Sequence, residues 1–308
     1  MIKRVRIAID HGNRNIKTVH TVFTTGISES DVRPGRGIDY LEYNGKFYVP
    51  SNRRIPYQRD KTMDHRFFAL TLMGIAKELE QNPNIEKGDF IQVQMPIGLP
   101  PKHFAELYDK YENFFKGSGE MLSFSYKQNE YHITITDVMA FPQDYAAIML
   151  KHKEIREYSK VVGVDIGGFT TDYLMFRSGM EDMEICDSME TGIISLYNRI
   201  IARIRADYDV LLEEADIDSI IQGKKGFYDA KVIHAVLQEA GSYVTDLLAS
   251  LRERGIDLKS TLFIFLGGGS ILLKELIQNF RVVNHVQFID DIHANARGYD
   301  YLYQQQGV

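Results

Sequence analysis

Apolar residues alternate with others at Val5, Ile7 and Ile9, the two-residue period of a strand, and the run ends in a turn-rich stretch from Gly12 to Asn15. Ile16 to Phe23 reads as the strand that returns. Residues 24–60 are irregular and rich in Arg, Gly and Pro. Within them Tyr43 to Val49 predicts a hairpin, because Asn44-Gly45 suits a tight primed turn. The period changes over 64–80, where Phe68, Leu72, Ile75, Ala76 and Leu79 share one helical face. A short strand from Ile91 to Met95 ends at Pro96-Ile97-Gly98-Leu99-Pro100-Pro101, and a helix follows from Phe104 to Phe115. Met121 to Tyr126 and Tyr131 to Thr136 pair around Gln128-Asn129. Phe141-Pro142-Gln143-Asp144 then opens a helix to about Glu157, since a helix start needs no backbone donor from proline.

The second half repeats this plan. Strand 161–165, a glycine turn and strand 171–176 come first, and helix 193–208 begins after Thr191-Gly192. A polar helical stretch follows and looks like a small inserted subdomain, about 209–240. Helix 240–253 leads to strand Leu262 to Leu266, which ends at Gly267-Gly268-Gly269-Ser270, where another helix starts. Strand Val286 to Ile289 precedes a last helix from Ala294, with Asp290 or Asp291 as candidate N-cap. Strand–turn–helix elements in both halves predict an α/β fold of two similar domains, 1–157 and 158–308.

Composition narrows the function. A chain of 308 residues, 44% hydrophobic and 25% charged, suits two folded domains. A net charge of −6 argues against general nucleic-acid binding, because phosphate backbones attract basic surfaces, yet it allows DNA to be reached through an adaptor. One cysteine, Cys186, cannot form an internal disulfide, as expected in a reducing cytoplasm. Met1-Ile2-Lys3-Arg4 is not followed by a signal-peptide core, and no stretch approaches the ~20 apolar residues that span a bilayer. The tail Gln304-Gln305-Gln306-Gly307-Val308 offers no amphipathic anchor.

The chemistry concentrates in two Asp-x-Gly turns, Asp10-His11-Gly12-Asn13-Arg14-Asn15-Ile16-Lys17 and Asp165-Ile166-Gly167-Gly168-Phe169-Thr170-Thr171-Asp172. Backbone N–H groups in a tight glycine turn can converge on one anion, and glycine lets a phosphate come close. Lys17 adds a point charge, and an aspartate at each strand end suits a magnesium ion held mostly through water. One such turn is an ordinary hairpin connector; two, each after an apolar strand in opposite halves, favour phosphate binding. The Gly267-Gly268-Gly269 stretch lets a flat base or ribose pack on the backbone. There is no P-loop, no dinucleotide-binding glycine motif, no His-Glu-x-x-His zinc motif and no Gly-x-Ser-x-Gly.

These motifs, in this order, resemble the actin-like ATPase superfamily, and most of all the bacterial plasmid-segregation actins of the ParM/StbA type. Asp10 to Lys17 is similar to that group's first phosphate motif and Asp165 to Asp172 to the second. Leu266-Gly267-Gly268-Gly269 resembles the adenosine motif, and Phe141-Pro142-Gln143 and Ala294-Asn295-Ala296-Arg297-Gly298-Tyr299 resemble the two connecting helices. Pro96-Ile97-Gly98-Leu99-Pro100 resembles a short signature of the group. Arg14 stands where actin has glycine and Asn13 where serine is usual, and a chain this short implies reduced outer subdomains, here about 30–65.

The resemblance implies an actin-like (ribonuclease H-like duplicated) fold with Mg2+ and ATP, or GTP, in a cleft between the domains. Asp10, Gly12, Asn13, Asn15, Lys17, Gly167, Gly168, Thr170, Thr171, Gly267, Gly268 and Gly269 would hold the nucleotide. Asp10 and Asp165 would share the magnesium's water shell; Asp165 would help deprotonate the attacking water, and Gln143 would orient it. Asp172 would brace its turn or bind ribose. The implied function is a filament-forming ATPase that segregates plasmid DNA in the cytoplasm through a small ParR-like DNA-binding adaptor. Two other readings stay open: a metabolite kinase of the same superfamily, with Asp144 as its nearest candidate base, and a non-segregating cytoskeletal scaffold.

Overall fold

The computed structural model describes residues 1–307. They divide into two compact units, Met1–Leu150 with the C-terminal segment from His293, and Lys151–Ile292.

The first unit is built on a ten-stranded mixed sheet. Strands β1 (Ile2–Arg6), β2 (Ile9–His11), β3 (Asn15–Thr18), β4 (Val22–Thr24), β5 (Ile27–Ser30), β6 (Leu41–Tyr43) and β7 (Lys46–Pro50) precede the first helix, α1 (Arg66–Gln81). Then come β8 (Phe90–Leu99), α2 (Pro101–Lys116), β9 (Leu122–Tyr126) and β10 (Asn129–Pro142). The sheet order is β4-β3-β2-β8-β10-β9-β6-β7-β5, with β1 also on β8. The helix expected over 64–80 forms because Phe67, Leu70, Met73 and Ile75 are buried against this sheet, together with Leu72, Ala76 and Leu79. The Asn44-Gly45 hairpin forms as expected; both residues have positive φ, 50° and 73°, as a primed turn requires.

Three departures have physical causes. The single strand expected from Ile16 to Phe23 breaks into β3 and β4, because Thr18 accepts from the backbone N–H of Thr21 and closes a turn. Besides the expected hairpin of β6 and β7, the stretch 24–60 holds a further strand, β5, because it pairs with β7 from Ile27 opposite Pro50 to Ser30 opposite Phe47. Strand β8 does not stop at Pro96. On one side β1 pairs with it as far as Gln94 and β2 at Ile97, so Pro96 falls at the break, where its missing donor costs no ladder bond.

The expected helix from Phe141 to Glu157 does not form as one element. Pairing with β8 carries β10 on through Pro142, opposite Leu99. Asp144 then adopts φ 60°, and two short helices follow, α3 (Tyr145–Met149) and α4 (His152–Ile155).

The second unit has a five-stranded sheet, order β13-β12-β11-β14-β15. Its strands are β11 (Lys160–Ile166), β12 (Thr171–Arg177) and β13 (Met180–Met189), followed after the helices by β14 (Leu262–Leu266) and β15 (His285–Phe288). β11, β12 and β13 form an antiparallel meander, and β14 runs parallel to β11. α5 (Ile193–Tyr208), α6 (Glu214–Ile221) and α7 (Ala230–Glu253) pack around Leu196, Tyr197, Ile200, Val236, Ala240 and Val244. The expected helices over 209–240 and 240–253 are therefore largely α6 and one long α7. Two short helices, α8 (Gly267–Leu272) and α9 (Lys274–Asn279), complete the unit.

The last helix, α10 (Ala294–Gln305), starts where expected but belongs to the first unit, not to the second as a boundary near 157 would have it. Tyr299 and Tyr303 are buried there with Ala8, Phe141 and Ala146. A Cβ on Gly98 would lie 2.0 Å from the Tyr299 ring, and one on Gly298 2.3 Å from the Ala146 backbone. These close approaches explain the glycines in the Pro96–Pro100 and Ala294–Tyr299 motifs. The N-cap position is His293, whose Nδ1 donates to the Thr18 carbonyl at 2.8 Å, while Asp290 pairs with Lys274.

Candidate functional site

In the first unit, β2 and β3 carry the first turn. Strand alternation sends Asp10 and His11 to opposite faces. Asp10 is buried; its Oδ2 accepts from Lys17 Nζ and its Oδ1 from Gln143 Nε2, both at 3.1 Å. Three residues singled out in the sequence, the last of them 133 positions from the first, thus meet at one carboxylate. Gly12 must be glycine, since a Cβ would lie 2.6 Å from the Asn15 carbonyl oxygen.

The turn is held from behind by residues to which the motifs assign no role. Thr25 donates to the Gly12 carbonyl at 2.6 Å, and its N–H donates to Arg14 at 3.0 Å. The His11 ring stacks on Phe115 with centroids 4.2 Å apart. Thr71 gives its proton to the Phe67 carbonyl, so Nε2 of His11 is the donor in its 2.8 Å bond to Thr71. Burial, assisted by nearby Lys61, pushes the His11 pKa well below its usual value, which keeps the ring neutral. Behind Gln143, Asn295 accepts from the N–H of Asp144 at 3.0 Å and secures that residue's positive φ.

In the second unit, β11 and β12 carry the second turn. Its carbonyls are spent on α5: Gly167, Gly168 and Phe169 accept from the N–H groups of Ile193, Ile194 and Gly192 at 2.9–3.0 Å. This satisfies the first turn of a helix that has no side-chain cap. It also fixes the turn's direction: the Gly167 N–H donates to the Thr170 carbonyl at 2.9 Å, so the N–H groups the turn can offer a ligand are those that follow Gly167. Gly192 is required, because a Cβ would lie 2.4 Å from the Gly168 carbonyl oxygen. Thr170 donates to Asp172 at 3.2 Å, and Thr171 to the Thr191 carbonyl at 2.9 Å. The Tyr243 hydroxyl of α7 also donates to Thr191.

The triple glycine lies against the same strand end. Gly267 has φ 84°, and a Cβ there would fall 1.9 Å from Oδ1 of Asp165. A Cβ on Gly269 would meet the Ile166 side chain at 2.5 Å. Asp165, Gly167, Gly168, Thr170, Thr171 and Gly267 to Gly269 are therefore one constellation. Among the described residues, no cluster of three or more His, Cys, Asp or Glu is placed to hold a metal ion directly. Among the described residues, no helix is long and apolar enough to cross a membrane.

Residues 8–145 match the family described as actin-like proteins, N-terminal domain, and residues 163–279 match the family of the archaeal actin homologue MreB-like, C-terminal. No curated protein matches the chain. Among solved structures, an archaeal actin homologue is similar at TM-score 0.75 with 17% identity, over 98% of this chain and 99% of that one. A ParM filament from Clostridium botulinum is similar at 0.74 with 18% identity, again over 98% and 99%. The archaeal homologue in complex with ADP is similar at 0.73 with 15% identity, over 98% and 99%.

Proposed function

Because the chain belongs to the actin-like superfamily, with its two-domain fold, we propose that it is a nucleotide-dependent filament-forming ATPase that segregates plasmid DNA in the cytoplasm. The carrying observation is the second turn, whose Gly167, Gly168 and Phe169 carbonyls are committed to α5 and whose N–H groups after Gly167 suit phosphate oxygens. Solved neighbours include a filament and an ADP complex, which supports the same reading for this chain.

In this proposal Gly12, Asn13, Asn15 and Lys17 of the first turn and Gly167, Gly168, Thr170 and Thr171 of the second contact the phosphates. Gly267, Gly268 and Gly269 back the adenosine. Asp10 and Asp165 present hard carboxylate oxygens suited to the waters of Mg2+, which would neutralise phosphate charge when bound. Asp165 accepts the proton of the attacking water. Gln143 has its Nε2 committed to Asp10, so its Oε1 is the group that orients that water. Asp172 braces the turn through Thr170. A small ParR-like adaptor would supply the contact with DNA, as the acidic chain suggests. The kinase reading loses support, because Asp144 is fully buried and cannot face an acceptor hydroxyl.

High-speed pelleting with Mg-ATP, Mg-GTP and a non-hydrolysable analogue tests this. Wild type is expected to enter the pellet with nucleotide and release phosphate afterwards. Asp165→Ala is expected to pellet and release little. Nucleotide binding without pelleting at any concentration would refute the filament reading.

A further inference from the structure

Among the described residues, Phe227 is the most exposed large apolar side chain. It lies in the 222–229 loop that joins α6 to α7. The loop is not slack. Tyr228 packs on the core of the second unit, and its hydroxyl donates to Asp216 at 2.6 Å. Asp216 and Glu213 form the capping box of α6. Gly226 is needed there, since a Cβ would lie 2.4 Å from the Tyr228 ring. Phe227 is thus held out into solvent, beside exposed Lys224 and Lys225.

The same unit carries a patch of opposite charge. At the β12–β13 hairpin, Met180 and Met183 are exposed, 71% and 53%, and so are Glu181 and Glu184. Asp182 between them is engaged by Arg177 at 2.6 Å.

The fold puts the two patches at opposite ends. Arg177 pairs with Lys160 at the start of β11, so the hairpin lies at the sheet edge away from the second turn. α7 passes that turn at Tyr243, and its C-terminal end leads back to β14, whose Leu262 pairs with Val161. The N-terminal half of α7 and the 222–229 loop therefore project beyond the turn edge. At 1.5 Å per helical residue the projection is roughly 20 Å, and the length of β12 adds roughly 20 Å in the other direction.

We propose that the Lys224-Lys225-Phe227 loop of one copy docks on the Met180–Glu184 hairpin of the next, as a head-to-tail contact between copies of this chain. Such a contact joins two different patches and does not close on itself, which is what an open polymer requires. Flexible methionines adapt to an aromatic ring, and the lysines meet the glutamates at the rim, where charge sets register and partner. The inference rests on the filament reading and names its surface.

The test is the critical concentration for nucleotide-driven pelleting. Lys224→Glu with Lys225→Glu is expected to raise it roughly tenfold or more, and Glu181→Lys with Glu184→Lys to do the same, with nucleotide affinity unchanged. All four changes together are expected to bring it back near the wild-type value. Phe227→Ser is expected to weaken assembly without charge rescue. Reversals that assemble like wild type, or a fourfold variant that stays as poor as the pairs, would overturn the contact while leaving the filament reading intact. A wild type that never polymerises would bring down both.

Discussion

Gly267 and Asp165 exclude any side chain between them: a Cβ on the glycine would fall 1.9 Å from the carboxylate oxygen. The glycine also has φ 84°, a region that costs other residues roughly 1–2 kcal/mol. Gly267→Ala should therefore push Asp165 aside. In the proposed site a carboxylate misplaced by about 1 Å costs on the order of 100-fold in turnover. The expected result is a folded protein with phosphate release reduced on that scale. Unchanged turnover would separate Asp165 from the chemistry.

Gln143 tests the first turn. Its bond to Asp10 joins the end of β10 to β2, and its remaining amide oxygen is the proposed water-orienting group. Gln143→Ala is expected to lower phosphate release about 100-fold, the scale for losing one well-placed polar group in an active site, while nucleotide affinity stays within a few-fold. Gln143→Glu keeps the oxygen but sets a carboxylate against Asp10, so it should weaken nucleotide binding as well. Parallel loss of affinity and turnover in the alanine variant would make Gln143 a bracing residue only.

How far the sequence could reveal this site depends on whether a signal is local. Turns are legible because glycine and Asn-Gly requirements act within a few residues, as at Asn44-Gly45 and Gly12. The helix over 193–208 is legible because an apolar face repeats along it. The path of β10 through Pro142 is not, since it depends on pairing with β8 more than forty positions earlier in the chain. Strand β13 is not legible either, because its exposed residues do not alternate with buried ones. Of the supports of the two turns, Thr25 and Tyr243 carry no sequence pattern, and His11 and Asn295 lie within motifs that do not disclose their partners. Each becomes visible only when the fold brings a distant segment behind a turn. The same applies to α10, placed in the first unit by the space that Gly98 leaves for Tyr299.

Asp64 precedes α1 and does the work of its missing cap. Burial alone would push its carboxyl up, but Arg66 more than offsets this and holds it below the usual carboxylate range. The Arg66 backbone N–H donates at 3.0 Å and Nε at 2.9 Å. A depressed carboxyl contributes stability that is complete above its unfolded pKa, about 4, and is lost as pH falls through the folded value. Asp64→Asn should cost about 1.5–3 kcal/mol at pH 7 by urea unfolding, and the gap to wild type should shrink below pH 4. A gap independent of pH would show that the charge on Asp64 does not matter.

Tyr243 gives the alkaline counterpart. Burial pushes its hydroxyl up to about 12, and that hydroxyl donates to the Thr191 carbonyl behind the second turn. A raised folded pKa means stability that is fully present below the unfolded value, about 10, and lost as pH rises toward 12. Tyr243→Phe removes the hydroxyl and its bond to Thr191. At pH 8 the variant should be about 1 kcal/mol less stable than wild type, the scale of one buried hydrogen bond. Between pH 10 and 12 the unfolded wild type carries a phenolate that must take up a proton to fold, at a cost on the order of 2 kcal/mol near the top of that window, and the phenylalanine variant has no such cost. The difference should narrow and then change sign across that window. Equilibrium unfolding at pH 8, 10 and 11.5 reads this directly, and a constant difference would mean that the Tyr243 proton is not linked to folding.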